Sequence, residues 1–335
     1  MNNQSHMRAM ILREFGAPLQ YAEIHRPQPQ VGEVLVRVHA SGVNPLDLKI
    51  KSGAAVHARV KLPAILGVDV AGEVVALGRG VTKFKLGDEV YGMVGGVGGL
   101  QGTLAEYVAV DVDLLALKPK KLTMREAAAL PLVFLTAWEG LIDRAGVREG
   151  MKVLIHGGAG GVGHVAIQLA KAYGADVYAT GSSQHTKTIR MLGATPIDYV
   201  TTQVEQYVAD KTDNLGFDVI LDTVGGRTLD DSFRAVRKYT GHVVSALGWG
   251  THSLATLSFR AATYSGVFTL LPILTGEGRA HHGHILNEAA RLIDQGEIRP
   301  MLDSHKFVFE TANEAHLHVE QQHATGKVVI ESGLL

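Results

Sequence analysis

The sequence contains no cysteine, and this absence excludes several kinds of site. Disulfides, iron–sulfur clusters, thiolate-bound zinc and a cysteine nucleophile all require a residue that the chain does not have. Any metal site would therefore depend on the sixteen histidines. Two histidine groups are close in sequence, within 281–284 and 316–323, but neither shows an obvious carboxylate-supported ligand geometry. We therefore predict solvated histidines and no metal.

The sequence also lacks an excess charge of one sign and long apolar runs. Its 32 Lys and Arg residues balance 33 Asp and Glu residues, so the net charge is −1 and no nucleic-acid partner is indicated. No window approaches the roughly 18 apolar residues that a membrane span needs, and the first ten residues lack a secretory apolar core. We expect a cytoplasmic protein that binds no membrane. We assign no function to residues before Arg8, where Ser5-His6-Met7 has the appearance of an expression-tag remnant.

Glycine, by contrast, is abundant, and one glycine-rich run indicates a nucleotide site. Residues 153–180 read as a short apolar strand, a glycine loop, a helix-period segment and a second strand. Gly158, Gly160 and Gly163 match the G-x-G-x-x-G spacing of dinucleotide-binding loops. A helix beginning at about Val162 would direct its amino terminus at the pyrophosphate. The predicted loop residues are Gly158, Ala159, Gly160, Gly161, Val162 and Gly163.

The end of the second strand indicates which nucleotide binds. Enzymes that select NAD usually place Asp or Glu there to hold the ribose 2′-hydroxyl, whereas this chain has Gly181, Ser182 and Ser183, followed by Lys187. Hydroxyl groups and a nearby ammonium suit a 2′-phosphate, so we predict NADPH as the cofactor. An alternative is that the two serines cap the next helix, and both roles are compatible.

The remaining pattern predicts an α/β protein of two domains, in line with the length of 335 residues. Before about Leu122 the chain reads as short strands separated by Gly, Pro and Asp. After it, helices alternate with apolar strands, which predicts a doubly wound parallel sheet. Within this half we expect a helix over 125–144, a strand-like run over 264–271 and a helix over 284–295. The last stretch returns to strand, helix and strand.

Six motifs in sequence carry a family resemblance: SGVNPLDLKIKSG, LPAILGVDVAGEVVALGRGVTKFKLGDEVYG, GTLAEYVAV, LPLVFLTAWEGL, the glycine loop and GKVVIES. The chain resembles, over nearly its whole length, the zinc-independent quinone oxidoreductase and enone reductase branch of the medium-chain dehydrogenase/reductase superfamily. The resemblance implies a GroES-like catalytic domain over 1–125 and 280–335, and a Rossmann NADPH-binding domain over 126–279. It also implies a homodimer formed by pairing the edges of the Rossmann sheets.

Zinc alcohol dehydrogenases of the same superfamily are the main enzymatic alternative. They carry a cysteine where this chain has Ser41 or Gly42, and Gly-His-Glu where it has Gly67-Val68-Asp69. Without a Lewis acid, a substrate oxygen must be polarised by hydrogen-bond donors or a cation. We therefore predict an NADPH:quinone or enone oxidoreductase that transfers hydride to a quinone or to the activated C=C bond of an α,β-unsaturated carbonyl compound. The alternatives are a non-catalytic, crystallin-like or regulatory NADPH-binding protein and alcohol dehydrogenase-type carbonyl reduction.

By resemblance, the catalytic candidates are Asn44, Asp47 and Lys49. Asn44 would lie beside nicotinamide and substrate and donate to a developing enolate, or Asn44-Pro45 simply forms a turn. Lys49 stands where many quinone reductases of the family have tyrosine, and lysine resembles the subgroup that reduces enones. The alternative is an ordinary surface lysine. Asp47 either orients Lys49 or caps the segment.

The resemblance also extends the cofactor site beyond the glycine loop. Thr136 matches a threonine that contacts the nicotinamide ribose, and Tyr199 matches a residue at the 2′-phosphate end. Thr223 follows the strand that flanks the adenine ribose, and Phe268 either reaches the nicotinamide or belongs to a dimer edge. The residues that end another strand at the cofactor edge are Ala246, Leu247 and Gly248.

Overall fold

A computed structural model describes residues 5–333, so the first four residues, to which we assign no function, lie outside the described part. The strands are β1 His6–Leu12, β2 Gln20–His25, β3 Glu33–Gly42, β4 Ala64–Ile65, β5 Asp69–Leu77, β6 Glu89–Met93, β7 Tyr107–Asp111, β8 Leu115–Leu117, β9 Lys152–Ile155, β10 Asp176–Gly181, β11 Thr195–Asp198, β12 Val219–Asp222, β13 His242–Ser245, β14 Thr263–Gly266, β15 Phe307–Val308 and β16 Val329–Glu331. The α-helices are α1 Pro45–Lys51, α2 Met124–Ala128, α3 Pro131–Trp138, α4 Gly161–Ala172, α5 Thr186–Met191, α6 Val204–Thr212, α7 Arg227–Ala235, α8 Ala255–Ser258, α9 Leu271–Thr275, α10 Arg279–Gln295 and α11 Ala312–Glu320.

The chain folds into two compact units, of which the first is β-rich and comprises Met1–Leu132, Leu270–Gln295 and Pro300–Leu335. Its main sheet has the strand order β15-β16-β3-β5-β6-β8, and β7 pairs with β3. A smaller sheet has the order β2-β1-β4. On one face of the ten-residue β3, the alternate residues Val34, Val36, Val38 and Ala40 are all fully buried, and Leu35 on the other face is buried as well. The β-rich half predicted before Leu122 is therefore present.

The second unit, Val133–Thr269 with Gly296–Arg299, contains the predicted doubly wound sheet. Its six strands run in the order β11-β10-β9-β12-β13-β14, and every pairing is parallel. This is the order of dinucleotide-binding folds, in which the strand order reverses beside β9. The central strands are continuous apolar runs, and Leu154 and Ile220 are fully buried, as expected for strands covered on both faces.

The unit boundaries differ from the predicted domain limits by several residues. We placed the limits at 125/126 and 279/280, whereas residues 126–132 and 270–279 belong to the first unit. The short helix α9 and the start of α10 account for the second difference, because both pack within the β-rich unit. The first boundary lies inside helix α3, and the second lies between strand β14 and helix α9.

Three predicted elements are wrong in their extent. The helix expected over 125–144 is broken into α2 and α3, because Pro131 removes a backbone donor, and it ends in a π-helical turn at Glu139–Arg144. The run over 264–271 is a strand only as far as Gly266. Helix α10 begins at Arg279 rather than His284 and has 17 residues. Within residues 5–333, no helix combines the length and the apolar character needed to cross a membrane.

Candidate functional site

The glycine turn between β9 and α4 is packed so tightly that two of its positions require glycine. A Cβ on Gly163 would lie 2.1 Å from the carbonyl oxygen of Gly157, and one on Gly158 would lie 2.6 Å from the Cβ of Ala179. Gly160 and Gly161, by contrast, are exposed at the start of the twelve-residue helix α4. The turn thus presents a helix amino terminus with no side chain covering it, which suits a pyrophosphate. The predicted residues 158–163 form this turn.

At the carboxyl end of β10, the structure brings together the residues predicted to select the nucleotide. Gly181 pairs with Asp198 on β11, and the backbone N–H of Tyr199 donates to the carbonyl oxygen of Gly181 at 3.3 Å. The Tyr199 side chain is exposed. Ser183 and Lys187 are also exposed, Ser183 in the short 3-10 turn after β10 and Lys187 at the start of helix α5. This strand end therefore offers hydroxyl groups and one ammonium to a 2′-phosphate.

Two contacts refine this part of the site. The Ser182 hydroxyl lies 3.1 Å from Nδ1 of His185, and its side chain makes no cap hydrogen bond to the helix that follows. Asp198 is the carboxylate on the neighbouring strand, and it accepts from the backbone N–H of Val200 at 3.0 Å. Ser182 occupies the cap position without capping, so its hydroxyl interacts with a histidine ring instead.

The other predicted nucleotide residues belong to the same unit. Thr223 is the residue after β12. Its hydroxyl donates to the carbonyl oxygen of His156 at 2.7 Å and so connects the end of β12 to the start of the glycine turn. Thr136 is buried on α3, and Phe268 follows β14 with a partly exposed ring. Residues 246–248 follow β13. The residues after β9, β10, β12, β13 and β14 therefore share the carboxyl edge of one sheet, where such folds bind nucleotides.

Sequence reasoning missed His156, which lies beneath the glycine turn. Its ring is buried, and Nδ1 lies 3.1 Å from the hydroxyl of Thr180, while Nε2 has no hydrogen-bond partner among the described residues. Burial lowers the pKa of His156 to about 4, so the imidazole is neutral at physiological pH. The sequence did contain a signal for His156, since it is a polar residue placed directly after the buried apolar strand β9.

In the β-rich unit, Asn44 immediately precedes α1 and belongs to a buried group of polar and charged side chains. This group, which we call the Asp47–Lys327 cluster, comprises Asn44, Asp47, Asp69 and Lys327. The Asn44 amide donates to Oδ2 of Asp69 at 2.8 Å, and Nζ of Lys327 donates to Oδ1 of Asn44 at 2.5 Å. Lys327 also donates to the carbonyl oxygen of Val43 at 2.8 Å. The ends of α1, β5 and β16 therefore meet through one amide.

Burial perturbs every ionisable group of this cluster. Desolvation, with the neighbouring Asp69 charge, raises the pKa of Asp47 to about 7. Desolvation also raises the pKa of Asp69 to about 6, and it lowers the pKa of Lys327. Two carboxylates facing one ammonium leave a net negative charge in a buried site. The cluster therefore holds a proton on its carboxylates up to nearly neutral pH.

These contacts decide between some of the alternatives for α1. Asn44 is 0% exposed and its amide is bonded to Asp69 and Lys327, so it is more than a turn residue, and its contacts are internal. Asp47 accepts from the backbone N–H of Asn44 at 2.8 Å, which is the capping alternative. The suggestion that Asp47 orients Lys49 finds no support in these contacts, because Asp47 is buried and Lys49 is exposed. Partial burial lowers the pKa of His57, and the positive charge of Lys49 lowers it further.

The positions that hold zinc in related alcohol dehydrogenases do not fit a metal here. The hydroxyls of Ser41 and Thr103 lie 2.6 Å apart and bond to each other. Val68 is buried and apolar, and Oδ1 of Asp69 already accepts from the backbone N–H of Leu132 at 2.9 Å. Zinc requires sulfur, imidazole or carboxylate donors facing a common point, and these residues offer none beyond one committed carboxylate.

Two family models and several known proteins match the chain. Residues 30–120 match the alcohol dehydrogenase GroES-like domain and residues 192–330 match the zinc-binding dehydrogenase family. The NADPH-dependent alkenal/one oxidoreductase of Arabidopsis thaliana chloroplasts is 37% identical over 312 residues, covering 91% of this chain and 73% of the relative.

Among solved structures, an alcohol dehydrogenase superfamily protein from Novosphingobium aromaticivorans is 53% identical, with a TM-score of 0.95, covering 97% of this chain and 99% of that one. The quinone oxidoreductase of Coxiella burnetii is 31% identical, with a TM-score of 0.83, covering 97% of this chain and 99% of that one. Both likenesses extend over the whole chain rather than one unit.

Proposed function

The chain belongs to the medium-chain dehydrogenase/reductase superfamily, and we propose that it is an NADPH-dependent, zinc-independent oxidoreductase acting on quinones or enones. The observation that carries this proposal is the nucleotide cradle of the second unit. Its exposed helix amino terminus suits a pyrophosphate, and its serines and Lys187 suit a 2′-phosphate. The names of the relatives supply the acceptor classes.

The chain's own residues have separable tasks in this proposal. Backbone N–H groups of residues 161–163 hold the pyrophosphate, whereas the N–H of Gly160 already donates to the carbonyl oxygen of Gly157 at 2.9 Å. Ser182, Ser183, Lys187 and Tyr199 recognise the 2′-phosphate. Thr136 and Phe268 serve the nicotinamide end. When bound, NADPH supplies a hydride.

Lys49 is the residue we propose for the acceptor. Its ammonium donates to the acceptor carbonyl oxygen and stabilises the negative charge that develops there as hydride reaches the electron-poor carbon. In an enone this places the hydride on the β-carbon and leaves an enolate, which takes a proton at the α-carbon to complete the reduction. An exposed lysine is accessible for this task, whereas the Asn44 amide is bonded internally.

We also propose a homodimer that pairs the edges of two parallel sheets. Strand β14 is the last strand of its sheet, and among residues 5–333 it pairs on one side only, with β13. Thr263, Tyr264 and Gly266 on this strand are exposed. An unpaired, exposed strand edge is a template for another strand.

The test of the function uses purified, chelator-treated protein and the loss of NADPH absorbance. The acceptors are phenanthrenequinone, a 2-alkenal, an enone and a saturated ketone. We expect turnover with the quinone or the conjugated carbonyls and none with the ketone. Ketone reduction that depends on added zinc would instead support the alternative of alcohol dehydrogenase-type carbonyl reduction. NADPH binding without turnover of any acceptor would support a non-catalytic role.

A further inference from the structure

Three metal-ligating side chains converge in the β-rich unit, outside the residues assigned to the reaction. These are Asp303, His305 and His318, which we call the Asp303 triad. Oδ1 of Asp303 lies 2.8 Å from Nδ1 of His305, and Oδ2 lies 3.3 Å from Nε2 of His318. One ligand atom from each residue lies within 4.8 Å of the other two.

The carboxylate of the triad is held in place by surrounding donors. Asp303 is 1% exposed. Its Oδ1 accepts from the backbone N–H of His305 at 2.9 Å, and its Oδ2 accepts from the backbone N–H of Thr325 at 2.8 Å. Arg125 donates to the carbonyl oxygens of Asp303 and His305 rather than to the carboxylate. The hydroxyl of Thr325 also donates to Oδ2 at 3.3 Å. Outer donors of this kind orient a ligating carboxylate, and its remaining acceptor positions face the two imidazoles.

The two histidines of the triad differ in burial, because His318 is mostly buried and His305 is exposed. Nε2 of His318 is buried, and its contact with Oδ2 of Asp303 at 3.3 Å is an ion-pair contact rather than a well-aligned hydrogen bond. The side chain of His305 is 61% exposed, which opens the triad to solvent. A buried ring nitrogen held this close to a carboxylate is well placed to ligate the same metal ion as that carboxylate.

We propose that the Asp303 triad binds one Zn²⁺ ion, with two imidazole nitrogens, one carboxylate oxygen and a water as ligands. Zinc accepts this donor set in tetrahedral geometry, which places ligand atoms roughly 3.4 Å apart at its usual bond lengths. The triad is distinct from positions 41, 42 and 67–69, so a metal here would not polarise substrate.

The backbone indicates what such an ion would stabilise. The N–H of Asp303 donates to the carbonyl oxygen of Lys327 at 3.0 Å, and the N–H of Lys327 donates to the carbonyl oxygen of Met301 at 2.7 Å. A metal would therefore cross-link the segment before β15 to helix α11, beside the segment before β16 that contains Lys327. We expect a stabilising role for this ion.

The experiment begins with full-length protein stripped of metal by a chelator and then titrated with Co²⁺, which reports tetrahedral sites by visible absorption. We expect saturation at one equivalent, displacement of Co²⁺ by Zn²⁺, and a rise of several degrees in the thermal midpoint with excess Zn²⁺. Because binding is read directly, the result does not depend on NADPH or on turnover.

Variants identify the ligands. His305→Ala and His318→Ala should each weaken Co²⁺ binding at least tenfold and abolish the thermal shift, while circular dichroism shows a folded chain. The matched control is His284→Ala, which removes an exposed histidine of α10 in the same unit and should leave binding unchanged. No binding, or binding that the two triad variants leave unaltered, would overturn the proposal.

Discussion

Replacing Lys327 by methionine should destabilise the protein in a pH-dependent way. Lys327 is 5% exposed, and its ammonium donates to the Asn44 amide oxygen and to the carbonyl oxygen of Val43. Methionine fills a similar volume without the charge. The substitution therefore isolates the ammonium and leaves Asp47 and Asp69 buried without a cation.

The expected cost follows from this isolation. Removing one member of a buried ionic group costs about 3–5 kcal/mol when the remaining charge stays buried. The raised pKa values of Asp47 and Asp69 mean that the folded chain binds more protons than the unfolded chain between about pH 4 and pH 7. The free energy of unfolding therefore falls as pH rises through this window. Without Lys327 the fall is steeper, so we expect the full cost at about pH 8 and roughly 1–2 kcal/mol at about pH 5.

Urea unfolding followed by circular dichroism at both pH values measures this difference. Adding Asp69→Asn to Lys327→Met should recover about 1–3 kcal/mol at the higher pH, because one of the two stranded charges is removed. The matched control is Lys83→Met, since Lys83 also donates to two backbone carbonyl oxygens but is exposed. A loss below about 1 kcal/mol for Lys327→Met, or an equal loss at both pH values, would refute the ionic account of the cluster.

Three further predictions address the reaction. Gly163→Ala should weaken NADPH binding at least tenfold in a fluorescence titration, because its methyl group collides with the loop backbone, whereas Gly160→Ala should have a smaller effect. Ser182→Asp should raise the Kd for NADPH at least tenfold and that for NADH less than about threefold, with Ser182→Asn as the uncharged control, and equal losses would contradict the 2′-phosphate assignment. Lys49→Met should lower kcat with an enone roughly tenfold or more without changing NADPH affinity, whereas Lys51→Met should not, and an unchanged kcat would remove Lys49 from the reaction.

The glycine turn and its place in the parallel sheet were predictable because their signals are local. The glycine spacing, the apolar strand before it and the helix period after it lie within residues 153–180, and backbone sterics at Gly158 and Gly163 impose them directly. The strand end at Gly181 follows at a fixed distance along the chain. Parallel strands bring their carboxyl ends to one edge, so the alternation of strands and helices was sufficient to place these residues together.

Several local predictions failed where tertiary packing decided the outcome. The apolar run over 264–271 has no period that distinguishes a strand from a buried turn, and the chain leaves the sheet after Gly266. Pro131 marks a helix break in the sequence, yet helical patterns on both sides of it mask the interruption. The boundary between the units follows contacts made by helices α9 and α10, which no local pattern reveals.

The sequence by itself determined the family, the two kinds of domain and the glycine turn, because neighbours along the chain encode strand and helix periods and turn sterics. Only the tertiary structure decided which charges meet. Lys327 reaches Asn44 across 283 residues of chain, and His305 and His318 share Asp303 although they lie in different elements. Such groups depend on the register of distant strands and on burial, which change the pKa of a carboxyl without leaving any trace in the local sequence.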